Sequence, residues 1–173
     1  NGMRGVGLEN YIEILTTEEF WISLKTTIIF TFFAVTGQLI LGTLMAVILH
    51  HHSKSAPIMR ALYLLPLAVT PVAATFSFRM LFNPSLGAFN YFLELGGFAP
   101  LAWLSKSDLA LISLIIVDIW QWTPFILLIV AGGLASLPNE PFESAKVDGA
   151  SDIQIFFHHT LPLLKPYLAL AVI

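Results

Sequence analysis

The chain has 173 residues, of which 57% are hydrophobic and 11% are charged, and its formal net charge is −3. Soluble domains carry about 25% charged residues, so this composition, with a mean hydropathy of +0.81, indicates a membrane protein. The small, scattered charge gives no reason to expect binding to nucleic acid, and the absence of cysteine excludes disulfides and thiolate metal sites.

The first predicted elements are a short surface helix and a membrane span. Residues 8–15 place apolar side chains at the i, i+3, i+4, i+7 spacing of an amphipathic helix, which we expect to lie along the membrane surface. Residues 16–19, TTEE, fit a capping box that would begin the next helix. Residues 21–49 are apolar enough to cross a bilayer, and Gly42 and Ala46 within them would let another helix approach closely.

Two further apolar segments predict two further spans. Residues 61–82 contain Pro66 and Pro71, and because prolines remove backbone donors, we expect a bent helix here. The bend either lies beside a cavity or belongs to a kinked structural helix. Residues 109–137 form the third span, which carries polar residues near its middle.

We therefore predict an all-α, multi-spanning membrane protein with three full transmembrane helices and the start of a fourth. The start is residues 163–173, which are too few to cross a bilayer, since a span needs about 20 residues. We interpret residues 1–173 as a single membrane domain that is truncated at both ends, with a polar loop at residues 138–166.

This loop differs most from its surroundings, because it must lie in water or against a partner. Its charged residues are Glu140, Glu143, Lys146, Asp148, Asp152 and Lys165. If this loop is cytoplasmic, alternation of the spans puts residues 50–60, with Lys54 and Arg60, on the same side, an orientation that the positive-inside rule supports weakly.

The loop also has a predicted internal order. Pro141 suits the first turn of a short helix, where its missing N–H costs nothing, and Gly149 suits a turn that needs positive φ. Ser151 and Gln154 form a capping box for a second short helix, which we expect to end before Pro162. A rigid helix pair of this kind is suited to docking in a partner's groove.

Residues 143–162, ESAKVDGASDIQIFFHHTLP, resemble the signature loop of the integral membrane subunits of ABC importers, which runs E-A-A, three residues, G, nine residues, I-x-L-P. The matching positions are Glu143, Ala145, Gly149 and the Leu161-Pro162 pair. Ser144 replaces the first alanine, and His159 replaces the isoleucine. Residues 7–21, 118–125 and 131–138 also resemble the carbohydrate-uptake branch, the maltose-type permeases.

The resemblance implies a permease subunit in the cytoplasmic (inner) membrane of a prokaryote, paired with a second permease. Each permease would lay its loop in a groove of a cytoplasmic ATPase, and an external binding protein would deliver the solute. ATP and Mg are then expected on the partner ATPase and not on this chain. The implied ATPase-docking residues are Glu143, Ser144, Ala145, Asp148, Gly149 and Ala150.

We do not expect this chain to be an enzyme. Residues 37–43, GQLILGT, copy the glycine spacing of a phosphate loop but have Thr43 where lysine must reach the phosphates, so these glycines are interpreted as helix-packing residues. The histidines at 50–52 and 158–159 are consecutive and point different ways on a helix, so no metal site is expected. No nucleophile–base constellation is present.

Asp118, Trp120 and Gln121 form the substrate hypothesis. A carboxylate and an amide can bond sugar hydroxyls, an aromatic ring can cover the apolar face of a sugar, and acids within a membrane are often functional. The alternative is that Asp118 bonds a neighbouring helix and Trp120 fills a permease interface.

Other functions stay open. The solute could be a phosphate ester, an osmolyte or an oxyanion instead of a sugar. A stand-alone secondary transporter or channel would also have bent helices and a buried acid, but it would not need the docking loop.

Overall fold

The chain is helical along most of its length in a computed structural model, which describes residues 7–51 and 56–172. The helices are α1 (Glu9–Thr16), α2 (Glu18–His51), α3 (Ala56–Ala68), α4 (Pro71–Leu81), α5 (Ala88–Leu95), α6 (Ser107–Ser136), α7 (Glu140–Val147), α8 (Asp152–Ile155), a π-helical turn (Phe156–Thr160) and α9 (Leu161–Val172). No strand occurs within these described ranges, and the predicted all-α class is confirmed. Lys54, His52 and the side chains of His51 and Arg60 lie outside the described residues.

Two helices of the described chain, α2 and α6, are each long and apolar enough to cross a membrane. A third span exists if α3 and α4 are taken together, although the two meet at an angle of 101°. The first and third predicted spans are thus found as α2 and α6, the second is found as a broken pair of helices, and α9 lies where the start of a fourth span is predicted.

The break between α3 and α4 is set by Pro71. The residue before a proline avoids the helical region, and Thr70 accordingly is extended, with φ −64° and ψ 145°. The Thr70 hydroxyl accepts a hydrogen bond from the Ala73 N–H (3.3 Å), which starts α4 with Pro71 in its first turn. Pro66, in contrast, lies inside α3. The predicted bend is confirmed, and it is a sharp break.

Contacts divide the chain into two units, the first ending at Phe33 and the second running from Ala34. In the first unit the Thr16 hydroxyl donates to the carbonyls of Ile12 and Glu13, within α1. The predicted capping box at residues 16–19 is therefore wrong, because that hydroxyl closes α1 instead of starting α2. The Trp21 indole N–H donates to the Leu15 carbonyl (2.9 Å).

The core of the second unit lies where α2, α6 and α9 meet. Its buried residues are Ala46, Leu49, Ile126, Leu127, Val130, Leu134 and Leu164. Small residues allow the close approach: a Cβ on Gly42 would lie 2.8 Å from Ile126, and a Cβ on Gly133 would lie 2.7 Å from the Tyr167 ring. Gly37 packs just as closely on Ile119, so the glycines of residues 37–43 are helix-packing residues as predicted.

Helix α8, the second short helix of the polar loop, ends at Ile155 and so before Pro162, as predicted. The helical backbone nevertheless continues through the π-helical turn into α9, so the predicted loop at 138–166 includes the first turn of α9. Proline has no N–H, and its ring clashes with the carbonyl four residues earlier, which here is that of His158. The wider π turn accommodates Pro162: the Leu161 N–H bonds the Phe156 carbonyl, five residues back.

Candidate functional site

Helix α7 is built from local signals. Pro141 lies in its first turn, and the carbonyl of Asn139 accepts the N–H groups of Phe142 and Glu143, both at 3.0 Å. Glu143 in the first turn and Lys146 in the last complement the helix dipole. The helix therefore begins and ends where the sequence predicts.

Gly149 ends α7 in a Schellman motif. The Ala150 N–H bonds the Ala145 carbonyl (3.0 Å), and the Gly149 N–H bonds the Lys146 carbonyl (3.1 Å). Gly149 has φ +80°, a conformation in which a Cβ is strained although the surrounding space is open. The turn needs glycine for its backbone shape.

Helix α8 begins with the predicted capping box, which is confirmed. The Gln154 N–H donates to the Ser151 hydroxyl (3.4 Å), and the Gln154 side-chain oxygen accepts the Ser151 N–H (2.8 Å). Two helix starts and one turn thus fix the segment from α7 to α8 through bonds between residues close in sequence.

The six residues implied in ATPase docking differ in exposure. Glu143, Ser144, Asp148 and Gly149 are exposed, and Ala150 is half-buried. Ala145 is only 6% exposed, so its side chain packs inside the protein and does not reach the surface.

A concave region of about 880 Å³ lies between the loop and the ends of α2 and α6. Apolar side chains line most of it, including Leu44, Leu134 and Phe142, and the charged residues Glu143, Lys146 and Asp152 also contribute. His158 bonds the Gln154 carbonyl through its Nδ1 atom (3.0 Å). Within residues 7–51 and 56–172, no three His, Asp or Glu side chains are grouped as metal ligands.

Asp118 bonds a neighbouring helix. Its Oδ2 atom accepts a hydrogen bond of 2.7 Å from the side-chain amide of Gln38, which lies on α2 and is 8% exposed. This contact agrees with the alternative interpretation of Asp118, and Gln38 is a polar residue that the sequence analysis missed. The sequence could have indicated Gln38, because it is a lone amide in an apolar span and a buried amide needs a hydrogen-bond partner on another helix.

Trp120 and Gln121 contact the two arms of the broken span. Trp120 is 37% exposed and packs edge-on against Phe78 of α4, with ring centroids 5.1 Å apart. Gln121 is 9% exposed and donates from its amide to the carbonyls of Pro66 (2.7 Å) and Val69 (3.2 Å). Asp118, Trp120 and Gln121 thus contact different elements.

Asn90 organises the connection between α4 and α6, and sequence reasoning missed it too. Its side-chain amide donates to the carbonyls of Pro84 (2.9 Å) and Leu101 (3.0 Å). Its oxygen accepts the Leu101 N–H (3.0 Å) and the Trp103 indole N–H (2.9 Å). These partners lie up to thirteen residues away, which no local pattern indicates.

Comparison with known proteins gives a family. Residues 38–173 match the family described as the binding-protein-dependent transport system inner membrane component. The trehalose/maltose transport system permease protein MalF of Thermococcus litoralis is 39% identical over 168 residues, which make up 97% of this chain and 57% of that protein. The chain thus spans little more than half the length of this relative.

Solved structures share the fold. In the crystal structure of a bacterial ABC transporter involved in the import of the acidic polysaccharide alginate, one chain matches with a TM-score of 0.85 at 20% identity, covering 97% of this chain and 59% of that chain. A bacterial alginate ABC transporter in complex with an alginate pentasaccharide-bound periplasmic protein matches with a TM-score of 0.85 at 21% identity, covering 95% and 58%.

Proposed function

Because the chain belongs to the binding-protein-dependent transport system inner membrane component family, we propose that it is part of an ABC-importer permease subunit. In this proposal it pairs with a second permease in the cytoplasmic membrane of a prokaryote, and the two form the path of a sugar or a related polar solute. The observation that carries the proposal is the exposed, locally braced helix–turn–helix at residues 140–155, which joins two membrane helices.

The loop is proposed to dock in a groove of a cytoplasmic ATPase, which would hold ATP and Mg and hydrolyse the ATP. Glu143, Ser144, Asp148 and Gly149 would face that groove, Ala150 would lie at its edge, and Ala145 would support the helix from below. A short rigid helix laid in a groove is a recurrent mode of recognition. It transmits a force better than a flexible segment does.

The two membrane helices that flank the loop are attached to each other. The Tyr167 ring of α9 covers Gly133 of α6, and its hydroxyl forms a hydrogen bond of 2.6 Å with the hydroxyl of Ser136. A displacement of α7 and α8 by the ATPase is therefore expected to move α6 and α9 together. This is how the loop would couple ATP hydrolysis to a change in the solute path.

The solute class rests on the relatives and on two side chains. One relative is named for trehalose and maltose transport, and the solved transporter imports alginate, so a carbohydrate is the favoured solute. Asp118 and Trp120 are the proposed solute-path residues, since both are partly exposed. A phosphate ester, an osmolyte or an oxyanion is the second possibility, and a stand-alone secondary transporter or channel is a more distant one.

An external solute-binding protein is the third proposed partner. The alginate transporter was crystallised with a periplasmic protein that carries the solute, and a partner of this kind is implied for members of a binding-protein-dependent family. It would dock on the membrane face opposite the loop at residues 138–166.

The proposal is tested by replacing Gly149 with valine in the full-length permease, assembled with its partners in proteoliposomes. The branched side chain strains the positive-φ turn by about 1–2 kcal/mol. We expect the ratio of solute imported to ATP hydrolysed to fall about tenfold, the factor that corresponds to about 1.4 kcal/mol. Unchanged ATP-driven uptake by the variant would reject the docking role of this turn.

Gly97 provides a matched control. It has φ +79°, open space around it, and the same Schellman bonds, from Gly97 N–H to Glu94 (2.9 Å) and from Phe98 N–H to Leu93 (2.9 Å). It ends α5, on the connection between α4 and α6. Gly97→Val introduces the same backbone strain outside the loop, so we expect it to preserve the native ratio of import to ATP hydrolysis.

A further inference from the structure

The break between α3 and α4 leaves main-chain carbonyls without their usual helical donors. Pro71 has no N–H to give, and Thr70 is extended, so the last turn of α3 is not continued. The Val69 N–H reaches the Pro66 carbonyl only at 3.3 Å. Inside a membrane such carbonyls need a donor from elsewhere in the protein, because lipid supplies none.

Gln121 of α6 supplies that donor. Its amide nitrogen lies 2.7 Å from the Pro66 oxygen and 3.2 Å from the Val69 oxygen, so one NH₂ group bonds the end of α3 at two carbonyls. The side chain is buried, with 9% of its surface exposed. The bonds are therefore shielded from water. A buried carbonyl or amide that loses its partner costs more free energy than an exposed one, because no water can replace the bond.

The neighbouring residue of α6 contacts the other arm of the break. Trp120 packs on Phe78, which lies in the third turn of α4. Successive residues of α6 thus contact α3 through hydrogen bonds and α4 through an aromatic pair. The angle of 101° between these arms is bridged by α6 on both sides.

We propose that Gln121 is a positioning residue, which fixes the bend between α3 and α4 by bonding the carbonyls that the break exposes. It would act on the shape of the solute path without touching the solute. The effect on the bend depends only on the membrane fold. The consequence for transport rests on the proposed function.

The chemistry of the side chain makes the proposal specific. A primary amide has two N–H donors, which match two carbonyl acceptors, whereas leucine has none and an ionised glutamate only accepts. Asparagine keeps the amide but is one methylene shorter, so it cannot reach both carbonyls from the same backbone position. Replacing Gln121 first by asparagine and then by leucine therefore reduces the number of hydrogen bonds to the two carbonyls in steps. Glutamine and leucine have nearly the same helix propensity, so the comparison of these two does not change the stability of α6 itself.

The test measures the bend in the full-length permease, assembled with its partner subunits in lipid nanodiscs. Spin labels on Leu62→Cys in α3 and Met80→Cys in α4, both exposed positions, report the distance between the arms by electron–electron double resonance. We expect Gln121→Leu to broaden and shift the distance distribution and to lower solute uptake about tenfold. Gln121→Asn should give an intermediate result in both measurements.

Thr123→Val is the matched control. Thr123 lies two residues further along α6, is 3% exposed, and donates its hydroxyl to the Ile119 carbonyl of its own helix. The substitution removes a buried polar group of α6 without removing a bond to α3. It should therefore leave both the distance distribution and the uptake as in the native protein.

Three results would overturn the proposal. A native distance distribution in Gln121→Leu would do so, as would equal broadening in Gln121→Leu and Thr123→Val, since the second result would assign the effect to general packing. If Gln121→Leu fails to assemble, Gln121→Asn decides, and a native distribution in that variant is the contradictory result. A changed bend with native uptake would keep the positioning of α3 and reject its consequence for transport.

Discussion

The polar loop and the centre of α6 both hold polar groups in a stable arrangement, but by bonds of very different range. In the segment from α7 to α8, Ser151 bonds Gln154 three residues away, and Ala150 bonds Ala145 five residues away. At the centre of α6, Asp118 bonds a residue 80 positions away, and Gln121 bonds one 55 positions away. The loop can therefore keep its shape while its surroundings move, whereas the centre of α6 cannot move without breaking contacts with α2 and α3.

The largest effect is expected where α6 packs on α9, the two helices that flank the loop. A leucine at Gly133 would overlap the Tyr167 ring, where even a Cβ would lie 2.7 Å from it, and overpacking of this kind costs about 3 kcal/mol. We expect Gly133→Leu to lower the thermal stability of the purified full-length protein and to weaken transmission from the loop. Thermal unfolding monitored by circular dichroism, together with uptake in proteoliposomes, measures both.

Gly132 is the natural control for this experiment. It is the adjacent residue of the same helix, it is exposed, and nothing lies within 4 Å of the Cβ that a substitution would add. Gly132→Leu should therefore keep native stability and uptake. Equal losses in both variants would mean that the close contact of α6 with α9 is not the reason for the effect.

An intermediate effect is expected for the pair Gln38 and Asp118. In double-mutant cycles on a membrane protein, side-chain hydrogen bonds between helices contribute about 0.6 kcal/mol on average and up to about 1.7 kcal/mol. In a double-mutant cycle with Gln38→Leu and Asp118→Leu, we expect a coupling energy of that size in the free energy of unfolding. A coupling energy near zero would show that the bond does not tie α2 to α6.

The two single variants of this cycle also distinguish a structural role of Asp118 from a role in contacting the solute. If Asp118 contacts the solute as proposed, Asp118→Leu should reduce uptake more than Gln38→Leu does, because only Asp118 would lose both roles. Equal reductions would indicate that Asp118 acts through its bond to Gln38 alone.

The smallest effect is expected at the start of α8. Replacing Ser151 by alanine removes the cap and costs about 1 kcal/mol. The change should speed amide hydrogen exchange at Gln154, whose N–H the Ser151 hydroxyl accepts, and should leave exchange around Gln121 unaltered. Ser151→Asp keeps a capping oxygen and should restore the protection, and exchange changes that spread to the centre of α6 would contradict the local character of the loop.

The features that the sequence could predict are those that depend on residues close together along the chain. The capping box at Ser151, the turn at Gly149 and the three apolar spans depend on residues near each other, so each pattern carries its own structural meaning. The continuation of helical backbone past Pro162 was not predicted, because a proline normally stops a helix, whereas here the π-helical turn accommodates it. That adjustment depends on the helix continuing on both sides.

The arrangement around α6 could not be predicted. Asp118 and Gln121 were recognised as unusual residues, but their partners, Gln38 and the Pro66 carbonyl, are brought near only by the packing of distant helices. The sequence analysis placed Asp118, Trp120 and Gln121 in one hypothesis because their chemistry suits a sugar and all three lie near the middle of one span, whereas successive positions on a helix face different neighbours. Adjacency along a helix is thus a poor guide to a shared site.

The central claim is that the loop docks on an ATPase, and cysteine crosslinking tests it most directly. Single cysteines replacing Lys146 and Asp152, both exposed, would be placed in an otherwise cysteine-free full-length chain in native membranes, with Leu86→Cys on the α4–α6 connection as the control. We predict a specific adduct with an ATPase subunit from the two loop positions, changed by ATP or vanadate, and none from position 86. Loop cysteines that are labelled from the cytoplasm but never capture an ATPase would contradict the account and favour a stand-alone transporter.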